Sequence, residues 1–227
     1  MSGEPMVYVI DDDPRVREAI ENLLHSCGMQ VMAFSTVAEY RASSRPDTPA
    51  CLVLDVQLPD VDGLEFQRQI AQQSHPPIVF ISGYGDIPAS VRAMKAGALD
   101  FLPKPFAEHE LLAAIEAAIT CDRRVRDGRG EIATLRGRYG LLTKREREVM
   151  ALMTIGLLNK QAAARLGISE VTLQIHRRHV MHKMAASSVS ELVRMSVKLE
   201  AADDVALTAS APQTYNAAPT TDGTSHE

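Results

Sequence analysis

Residues 6–13 read MVYVIDDD, five apolar residues followed directly by three aspartates. Similar apolar runs occur at 51–55 (CLVLD), 77–82 (PIVFIS) and 99–103 (LDFLP), and segments with helical spacing of apolar residues lie between them. Short strands that alternate with helices indicate a parallel sheet. The first half of the chain is therefore predicted to be an α/β domain.

Polar side chains follow the predicted strands. Asp11, Asp12 and Asp55 stand at the carboxyl ends of two strands, where the ligands of open parallel sheets gather. Two like charges 4 Å apart repel by about 4 kcal/mol at an effective dielectric near 20, so a carboxylate cluster requires a cation. Oxygen ligands of this kind suit Mg²⁺. An alternative is that residues 11–13 only cap the helix that begins near Pro14.

Two more strand ends carry groups suited to phosphoryl chemistry. Ser82 closes PIVFIS, and its hydroxyl can bond a phosphoryl oxygen. Lys104 follows LDFLP, and its ammonium can neutralise charge added to a carboxylate. The Lys104–Pro105 bond is a candidate cis peptide that would direct the ammonium inward.

Charge divides the chain of 227 residues, whose net charge is -5. Residues 1–121 carry 8 Lys and Arg against 17 Asp and Glu, whereas residues 122–200 carry 16 against 8. The basic segment is a candidate partner for nucleic acid, with a merely solvated surface as the alternative. Its helical pattern has four helix-end signals. These are Thr143 with Glu146, Gly167, Ser169, and Ser188 with Glu191.

The last helix of the basic segment has two distinct faces. Leu173, Arg177, Val180 and Met184 share one stripe at helical spacing, which predicts an inward face with Arg177 buried through its stem. The opposite face carries Val171, Ile175, Arg178 and His182, flanked by Gln174 and His179. Arg, Gln and Ile side chains can read base edges in a major groove. Metal binding by His176, His179 and His182 is disfavoured, because a spacing of three residues places them on different sides of the helix.

The motifs resemble known families. YVIDDDPRVR, LVLDVQLPDVDGLE, ISGYGD and VRAMKAGALDFLPKPF resemble the receiver domain of bacterial response regulators. LTKREREVMALM, GLLNKQAAARLGIS and VTLQIHRRHVMHKM resemble the LuxR-type helix-turn-helix domain of NarL/FixJ regulators, and the pairing resembles the FixJ-type branch. The implied fold is a doubly wound, five-stranded parallel sheet of the flavodoxin/CheY-like class, followed by an all-α domain.

The resemblance also implies roles for individual residues. In the receiver these are Asp55 as phosphoacceptor, Asp11, Asp12, Asp55 and the Gln57 carbonyl as Mg²⁺ ligands, Ser82 and Phe101 as the switch, and Lys104 as the phosphoryl-binding cation. In the helical domain they are Gln174, Ile175 and Arg178 as base readers, and Asn159, Lys160, Thr172 and Lys183 as phosphate binders. The expected boundaries are 1–121 for the receiver, 122–139 for a linker, 140–200 for the DNA-binding domain and 201–227 for a disordered tail.

The resemblance implies a response regulator that is not an enzyme. A sensor histidine kinase would phosphorylate it, and it would dimerise, bind a DNA operator and act on RNA polymerase. Three cysteines without zinc-ligand spacing, and no apolar stretch near the bilayer-spanning length, predict a cytoplasmic protein without a membrane partner. Two rival hypotheses remain: a Mg²⁺-dependent phosphohydrolase, and an adaptor whose helical domain binds proteins instead of DNA.

Overall fold

The computed structural model describes residues 3–83 and 87–209, and the chain divides into two compact units, Met1–Glu131 and Ile132–Glu227. The first unit alternates strands with helices. Its elements are β1 (Met6–Ile10), α1 (Pro14–Ser26), β2 (Gln30–Phe34), α2 (Val37–Ala42), β3 (Ala50–Asp55), α3 (Gly63–Ile70), β4 (Ile78–Ser82), α4 (Ile87–Lys95), β5 (Asp100–Pro103) and the start of α5 (Glu108–Gly140).

The strands form one parallel sheet in the order β2-β1-β3-β4-β5. The prediction of a five-stranded, doubly wound parallel sheet is therefore confirmed. The apolar pattern had revealed four of these strands. The pattern did not predict β2. This strand begins with the exposed Gln30 and its other residues are only half-buried, so its apolar pattern is weak.

Side chains alternate between the two faces of the sheet, as strand geometry requires. Tyr8 and Phe80 pack on one face against α2, α3 and α4. Val9 and Val53 pack on the other face against α1 and α5. Burying an apolar side chain of this size stabilises the fold by about 1.5–3 kcal/mol. The two apolar layers therefore fix the positions of the strand ends relative to one another.

Helix α5 is longer than its sequence suggested. The amphipathic pattern predicted a helix from Glu108 to about Ile119, followed by a linker at 122–139 that could be partly helical, and α5 is continuous to Gly140. Glycine costs about 1 kcal/mol in a helix interior. Contacts within each unit offset that cost: Asp122 is buried in the first unit, and Leu135 is buried in the core of the second.

The second unit is helical. It contains the end of α5, then α6 (Lys144–Thr154), α7 (Asn159–Leu166), α8 (Glu170–Met184) and α9 (Val189–Ala209). Its core joins residues from all of these helices, including Val149, Ala163, Leu173 and Leu192. The prediction of an all-α second domain is confirmed.

The predicted helix ends agree closely with the structure. Thr143 and Glu146 form the reciprocal capping box of α6, and Gly167 ends α7 in the left-handed conformation. The Ser169 hydroxyl accepts a hydrogen bond from the Thr172 amide at the start of α8. At α9 the pattern differs in one detail: the Glu191 amide donates to the Ser188 hydroxyl, but the Glu191 carboxylate accepts from the Ser187 amide.

Helix α9 continues to Ala209, so the first nine residues of the tail expected at 201–227 are helical. The expectation of disorder rested on an Ala, Thr, Pro, Ser and Asp composition, which becomes Pro-containing only after residue 211. Residues 210–227 lie outside the described part of the chain. Among the described residues, no helix combines the length and apolar character that a bilayer crossing requires.

Candidate functional site

Three aspartates meet at the carboxyl edge of the sheet. Asp11 follows β1, Asp55 ends the adjacent β3, and one ligand oxygen from each of Asp11, Asp12 and Asp55 lies within 4.8 Å of the others. Asp11 is fully buried and Asp55 is 5% exposed, whereas Asp12 is exposed. Parallel strand order produces this cluster, because it aligns residues that stand about 40 positions apart in the chain.

Lys104 neutralises part of the cluster. Its Nζ donates to Asp11 Oδ2 at 2.5 Å and to Asp55 Oδ2 at 2.6 Å. The Lys104 backbone amide donates to the Ser82 carbonyl at 2.6 Å, and the Lys104–Pro105 bond is cis, as the sequence analysis anticipated. Lys104 is therefore placed by β4 and directed at two carboxylates.

Burial and the hydrogen bonds between Lys104 and the carboxylates act in opposite directions on the pKa values of Asp11 and Lys104. Burial raises the pKa of Asp11, and the hydrogen bonds and charge of Lys104 only partly offset this effect. For Lys104, burial lowers the pKa, but the hydrogen bonds that it donates to Asp11 and Asp55 outweigh burial and raise it. Lys104 thus remains charged at neutral pH, and the Asp11 carboxylate favours any additional cation.

The donor set fits Mg²⁺, which is bound through one or two carboxylates together with waters and phosphate oxygens. In the described part of the chain, Asp11, Asp12 and Asp55 form the one cluster of three or more candidate metal ligands. Gln57 lies beside them, since its backbone amide donates to Asp55 Oδ1 at 3.1 Å. The exposed residues Asp12 and Gln57 leave the cluster accessible to solvent.

The two predicted switch residues lie on the neighbouring strands. Ser82 is buried at the end of β4, one residue beyond Ile81, which pairs with Asp55. Phe101 on β5 is half-buried, and its ring centroid lies 6.3 Å from that of Phe80. A displacement at the carboxyl end of β4 would therefore reach β5 through direct contacts.

The helix-capping alternative holds for one of the three aspartates. Asp13 is the N-cap of α1, and its carboxylate accepts from the Arg15 amide at 2.8 Å. Asp11 is separate from this cap: its Oδ1 accepts from the Asp13 amide, and its carbonyl accepts from Arg17. The DDD stretch therefore contributes both to a helix start and to the acidic cluster.

Sequence reasoning missed a supporting glycine. A Cβ built on Gly63 would lie 2.4 Å from the Asp55 carbonyl oxygen and 3.1 Å from Val56 Cα. The Gly63 amide also donates to the Val56 carbonyl at 2.8 Å. Only glycine allows α3 to begin this close to the end of β3. The motif DVDGLE contains this glycine, but its role depends on the approach of two chain segments.

In the helical unit, α8 presents the predicted reading face to solvent. Val171 is 69% exposed and Ile175 52% exposed, and Gln174 and Arg178 are exposed beside them. The opposite stripe of α8 is buried, with Arg177 half-buried. An exposed basic and amphipathic face on the second helix of a helix-turn-helix is the surface that enters a major groove.

Three of the predicted phosphate binders lie at helix starts. Asn159 and Lys160 are the first two residues of α7, and Thr172 lies in the first turn of α8. The amides at a helix N-terminus favour anions, which suits contacts to a nucleic-acid backbone. Lys160 is exposed and Asn159 and Thr172 are half-buried.

Lys183 has a different environment. Its Nζ donates to Oε2 of the buried Glu146 at 2.7 Å, linking α8 to α6. That hydrogen bond and the Thr143 amide lower the pKa of Glu146 to about 2. His179 Nδ1 also lies 3.6 Å from Glu146 Oε1. The Lys183 side chain is thus engaged inside the unit, which weakens the expectation that it binds a DNA phosphate.

Comparison with known families agrees with this architecture. The family described as "Response regulator receiver domain" matches residues 7–116, and the family described as "Bacterial regulatory proteins, luxR family" matches residues 140–196. The protein is therefore a regulator that joins a receiver domain to a LuxR-type DNA-binding domain. Regulators of this class are not enzymes.

Individual relatives narrow the class. Nodulation protein W of Bradyrhizobium diazoefficiens is 47% identical over 199 residues, covering 87% of this chain and 88% of that protein. The solved structure of the response regulator StyR is 44% identical with a TM-score of 0.78, covering 86% and 100% of the two chains. Full-length FixJ from B. japonicum is 38% identical with a TM-score of 0.52, covering 88% and 99%. The chain belongs to the two-component response regulators of the NarL/FixJ family, in the FixJ-type branch.

Proposed function

We propose that Asp55 accepts a phosphoryl group from a sensor histidine kinase and that this modification controls operator binding by the helical domain. The observation that carries the proposal is the contact of Lys104 with both Asp11 and Asp55 at the carboxyl edge of the sheet. One Asp55 oxygen would form the new bond to phosphorus while the bond from phosphorus to the donor breaks. Lys104 would then neutralise part of the charge gained.

The remaining receiver residues have supporting roles in this proposal. Asp11, Asp12, Asp55 and the Gln57 carbonyl would hold Mg²⁺, which supplies positive charge for the phosphoryl oxygens. The Ser82 hydroxyl would bond a phosphoryl oxygen. Phe101 would then change its rotamer on β5, because it lies on the strand next to Ser82.

Phosphorylation would favour a symmetric homodimer through the surface around α4, β5 and α5. Helix α4 is partly apolar on its exposed side, where Val91 is 46% and Met94 47% exposed. A symmetric dimer matches an operator with two half-sites. In the DNA complex, Gln174, Ile175 and Arg178 would contact bases, while Asn159, Lys160 and Thr172 would contact phosphates.

The proposed consequence is activation of transcription through contact with RNA polymerase in the cytoplasm. The described free cysteines, Cys27, Cys51 and Cys121, agree with a reducing compartment. Regulation of nodulation genes is the process suggested by Nodulation protein W, and this suggestion rests on that relative alone.

The phosphorylation step is tested by incubating the full chain with acetyl phosphate and Mg²⁺ and measuring phosphate incorporation. Wild-type protein should take up one phosphoryl group, whereas Asp55→Asn should take up none. Asp60→Asn is a matched control, because Asp60 is an exposed acid on the following loop whose carboxylate accepts from the Ala38 amide. Undiminished labelling of Asp55→Asn would refute the assignment, and steady phosphate release from small phosphate esters would favour the phosphohydrolase hypothesis.

The DNA-binding step is tested with sequences selected from a random pool. Arg178→Ala should relax sequence preference, whereas Lys160→Ala should weaken all sequences alike and reduce the salt slope by about 1. Arg194→Gln provides a control on α9, where the residue is also exposed. Binding that is insensitive to salt and to both α7 and α8 substitutions would instead favour the adaptor hypothesis.

A further inference from the structure

A second candidate site lies in the first unit, at the opposite end of the sheet from Asp55. It is a cavity of about 160 Å³ whose lining includes Tyr8, Tyr40 and Ala50. Ala50 is the first residue of β3 and Asp55 is the last. At about 3.3 Å per residue, the cavity is on the order of 16 Å from the acidic cluster along that strand. The two sites are therefore separate.

The cavity has an excess of positive charge. Arg41, Arg45 and Arg126 all line it. Arg126 is paired with both Asp122 and Asp47. Among the described residues, Arg41 and Arg45 have no carboxylate partner: Arg41 donates to the neutral Gln69 amide, and the Arg45 guanidinium lies 4.1 Å from the centroid of the Tyr40 ring. An anion entering the cavity would meet two uncompensated guanidinium groups.

One of the lining residues, Tyr8, carries a buried hydroxyl. Tyr8 is 2% exposed, and its hydroxyl has no hydrogen-bond partner among the described residues. Leaving such a group unpaired costs about 1–3 kcal/mol, so it is expected to have a partner. Burial raises the pKa of Tyr8, with the charges of Arg45 and Arg126 opposing, and the hydroxyl therefore keeps a proton to donate. A carboxylate oxygen is a suitable acceptor.

The size and walls of the cavity limit the rest of the ligand. The rings of Tyr40 and Phe66 and the side chain of Ile70 supply apolar surface. An apolar cavity of about 150 Å³ in another protein holds one benzene molecule, whereas drug-sized and nucleotide-sized ligands need roughly 300 Å³ or more. The space therefore suits one ring and excludes a nucleotide.

We propose that this cavity binds a small carboxylate whose body is a single apolar ring. The carboxylate lies against Arg45 and the Tyr8 hydroxyl, and the ring packs against Tyr40 and Phe66. Arg126 is already paired with Asp122 and Asp47, so the uncompensated positive charge comes from Arg41 and Arg45. The site is independent of the phosphoacceptor, and its occupancy requires no reaction.

The test is titration of the full chain with benzoate, followed by calorimetry and by the amide NMR signals of the first unit. Benzyl alcohol has the same ring without the charge, and inorganic phosphate has charge without the ring. Benzoate should bind in the millimolar range or better, with signal changes at the amides of Ala50 and residues 73–75. Benzyl alcohol and phosphate should each bind at least about tenfold more weakly, because each lacks one half of the recognition.

Two cavity variants and two controls complete the experiment. Tyr8→Phe removes only the hydroxyl, and since that group has no partner the variant should fold as the wild type does. Arg45→Gln removes an exposed charge. Each should weaken benzoate binding by roughly tenfold, the loss expected for one charge-assisted hydrogen bond. Arg68→Gln, an exposed arginine paired with Glu65 elsewhere on α3, should bind as the wild type does, and so should Asp55→Asn.

Absence of benzoate binding to the wild-type chain would overturn the proposal. Unchanged affinity in Tyr8→Phe or in Arg45→Gln would also overturn it, as would equal affinity for benzyl alcohol or phosphate. The benzoate titration measures no phosphate incorporation, and the labelling experiment measures no benzoate binding. Failure of this site is therefore distinguishable from failure of the phosphoacceptor assignment.

Discussion

Replacing Lys104 by methionine should destabilise the receiver unit and make its stability depend more strongly on Mg²⁺. Methionine has a similar length but no charge, and so Asp11 and Asp55 would lose the cation that hydrogen-bonds both of them. The Lys104 side chain is 19% exposed and that of Asp55 8% exposed, so water can replace only part of the lost interaction.

The magnitude follows from the geometry of the cluster. Two carboxylate oxygens within 4.8 Å repel by about 3.5 kcal/mol at an effective dielectric of 20. Removing one partner of a buried ion pair usually costs about 3–5 kcal/mol. We therefore expect Lys104→Met to lower the free energy of unfolding of this unit by about 3 kcal/mol at pH 7 without divalent cations.

Mg²⁺ should recover much of this loss, because a divalent ion at the same carboxylates supplies the missing charge. A ligand that binds only the folded state stabilises it by about 2.7 kcal/mol at a concentration one hundred times its Kd. The gain should be larger in Lys104→Met than in the wild type, since no ammonium competes with Mg²⁺ for Asp11 and Asp55. The cost should also shrink as the pH falls towards 4: the Asp11 pKa is already raised by burial, and protonation removes the repulsion.

The assay is urea unfolding of the full chain, with and without Mg²⁺, followed by circular dichroism. Hydrogen exchange at β1 and β3 amides assigns the transition to the receiver. Lys95→Met is the matched control, because Lys95 is exposed on α4 and forms no ion pair with any described residue. A Lys104→Met protein as stable as Lys95→Met in chelator, or one that gains no more than the wild type from Mg²⁺, would refute the electrostatic account of this cluster.

Three further substitutions test contacts within one unit or the other. Gly63→Ala should destabilise the receiver by about 1–3 kcal/mol and slow phosphate uptake, because the new Cβ would lie 2.4 Å from the Asp55 carbonyl oxygen; denaturation and labelling rates measure this. Asp122→Ala should cost about 2 kcal/mol and expose the Ala50 amide to hydrogen exchange, since the buried carboxylate accepts from that amide at 2.8 Å. Glu146→Gln should destabilise the helical unit by about 1 kcal/mol at pH 7. The lowered pKa of Glu146 means that its contribution is complete above 4.5 and is lost as the pH falls towards about 2, so wild type and variant should converge in acid melts.

Each substitution has a control in the same element or unit. Gly128→Ala changes a glycine of α5 whose Cβ would meet nothing within 4 Å, and it should leave stability unchanged or slightly raise it. Asp127→Ala changes an exposed acid of α5. Glu148→Gln changes a partly exposed surface ion pair with Arg145. Equal effects of a substitution and its control would contradict the contact assigned to that residue.

Much of the receiver could be predicted because its information is local. Apolar runs followed by polar residues marked the carboxyl ends of β1, β3, β4 and β5, and parallel sheets bring such ends together. Asp11, Asp55 and Lys104 were therefore expected to meet before any contact was known, and the structure brings them within hydrogen-bonding distance through Lys104. Their chemical roles stay predictions until the labelling experiment is done.

Helix α5 is an element whose length the apolar pattern did not predict. Its Arg- and Gly-rich middle has weak apolar periodicity, so the sequence predicted a linker there. Asp122 carries no local sign of burial, yet it accepts from Ala50, which is 72 positions away in the chain. Its carboxylate acquires that role only when the sheet and the helix are already packed.

The sequence by itself determined four of the five strands, the chemistry at the strand ends and the two faces of α8, because side-chain periodicity and strand termini are properties of neighbouring residues. Only the tertiary structure decided that Gly63 must be glycine, that Lys183 pairs with Glu146, and that Arg41, Arg45 and Tyr8 line one cavity. Those facts depend on distances between segments remote in the chain. Such distances are set by the packing of whole layers, which no short stretch of residues specifies.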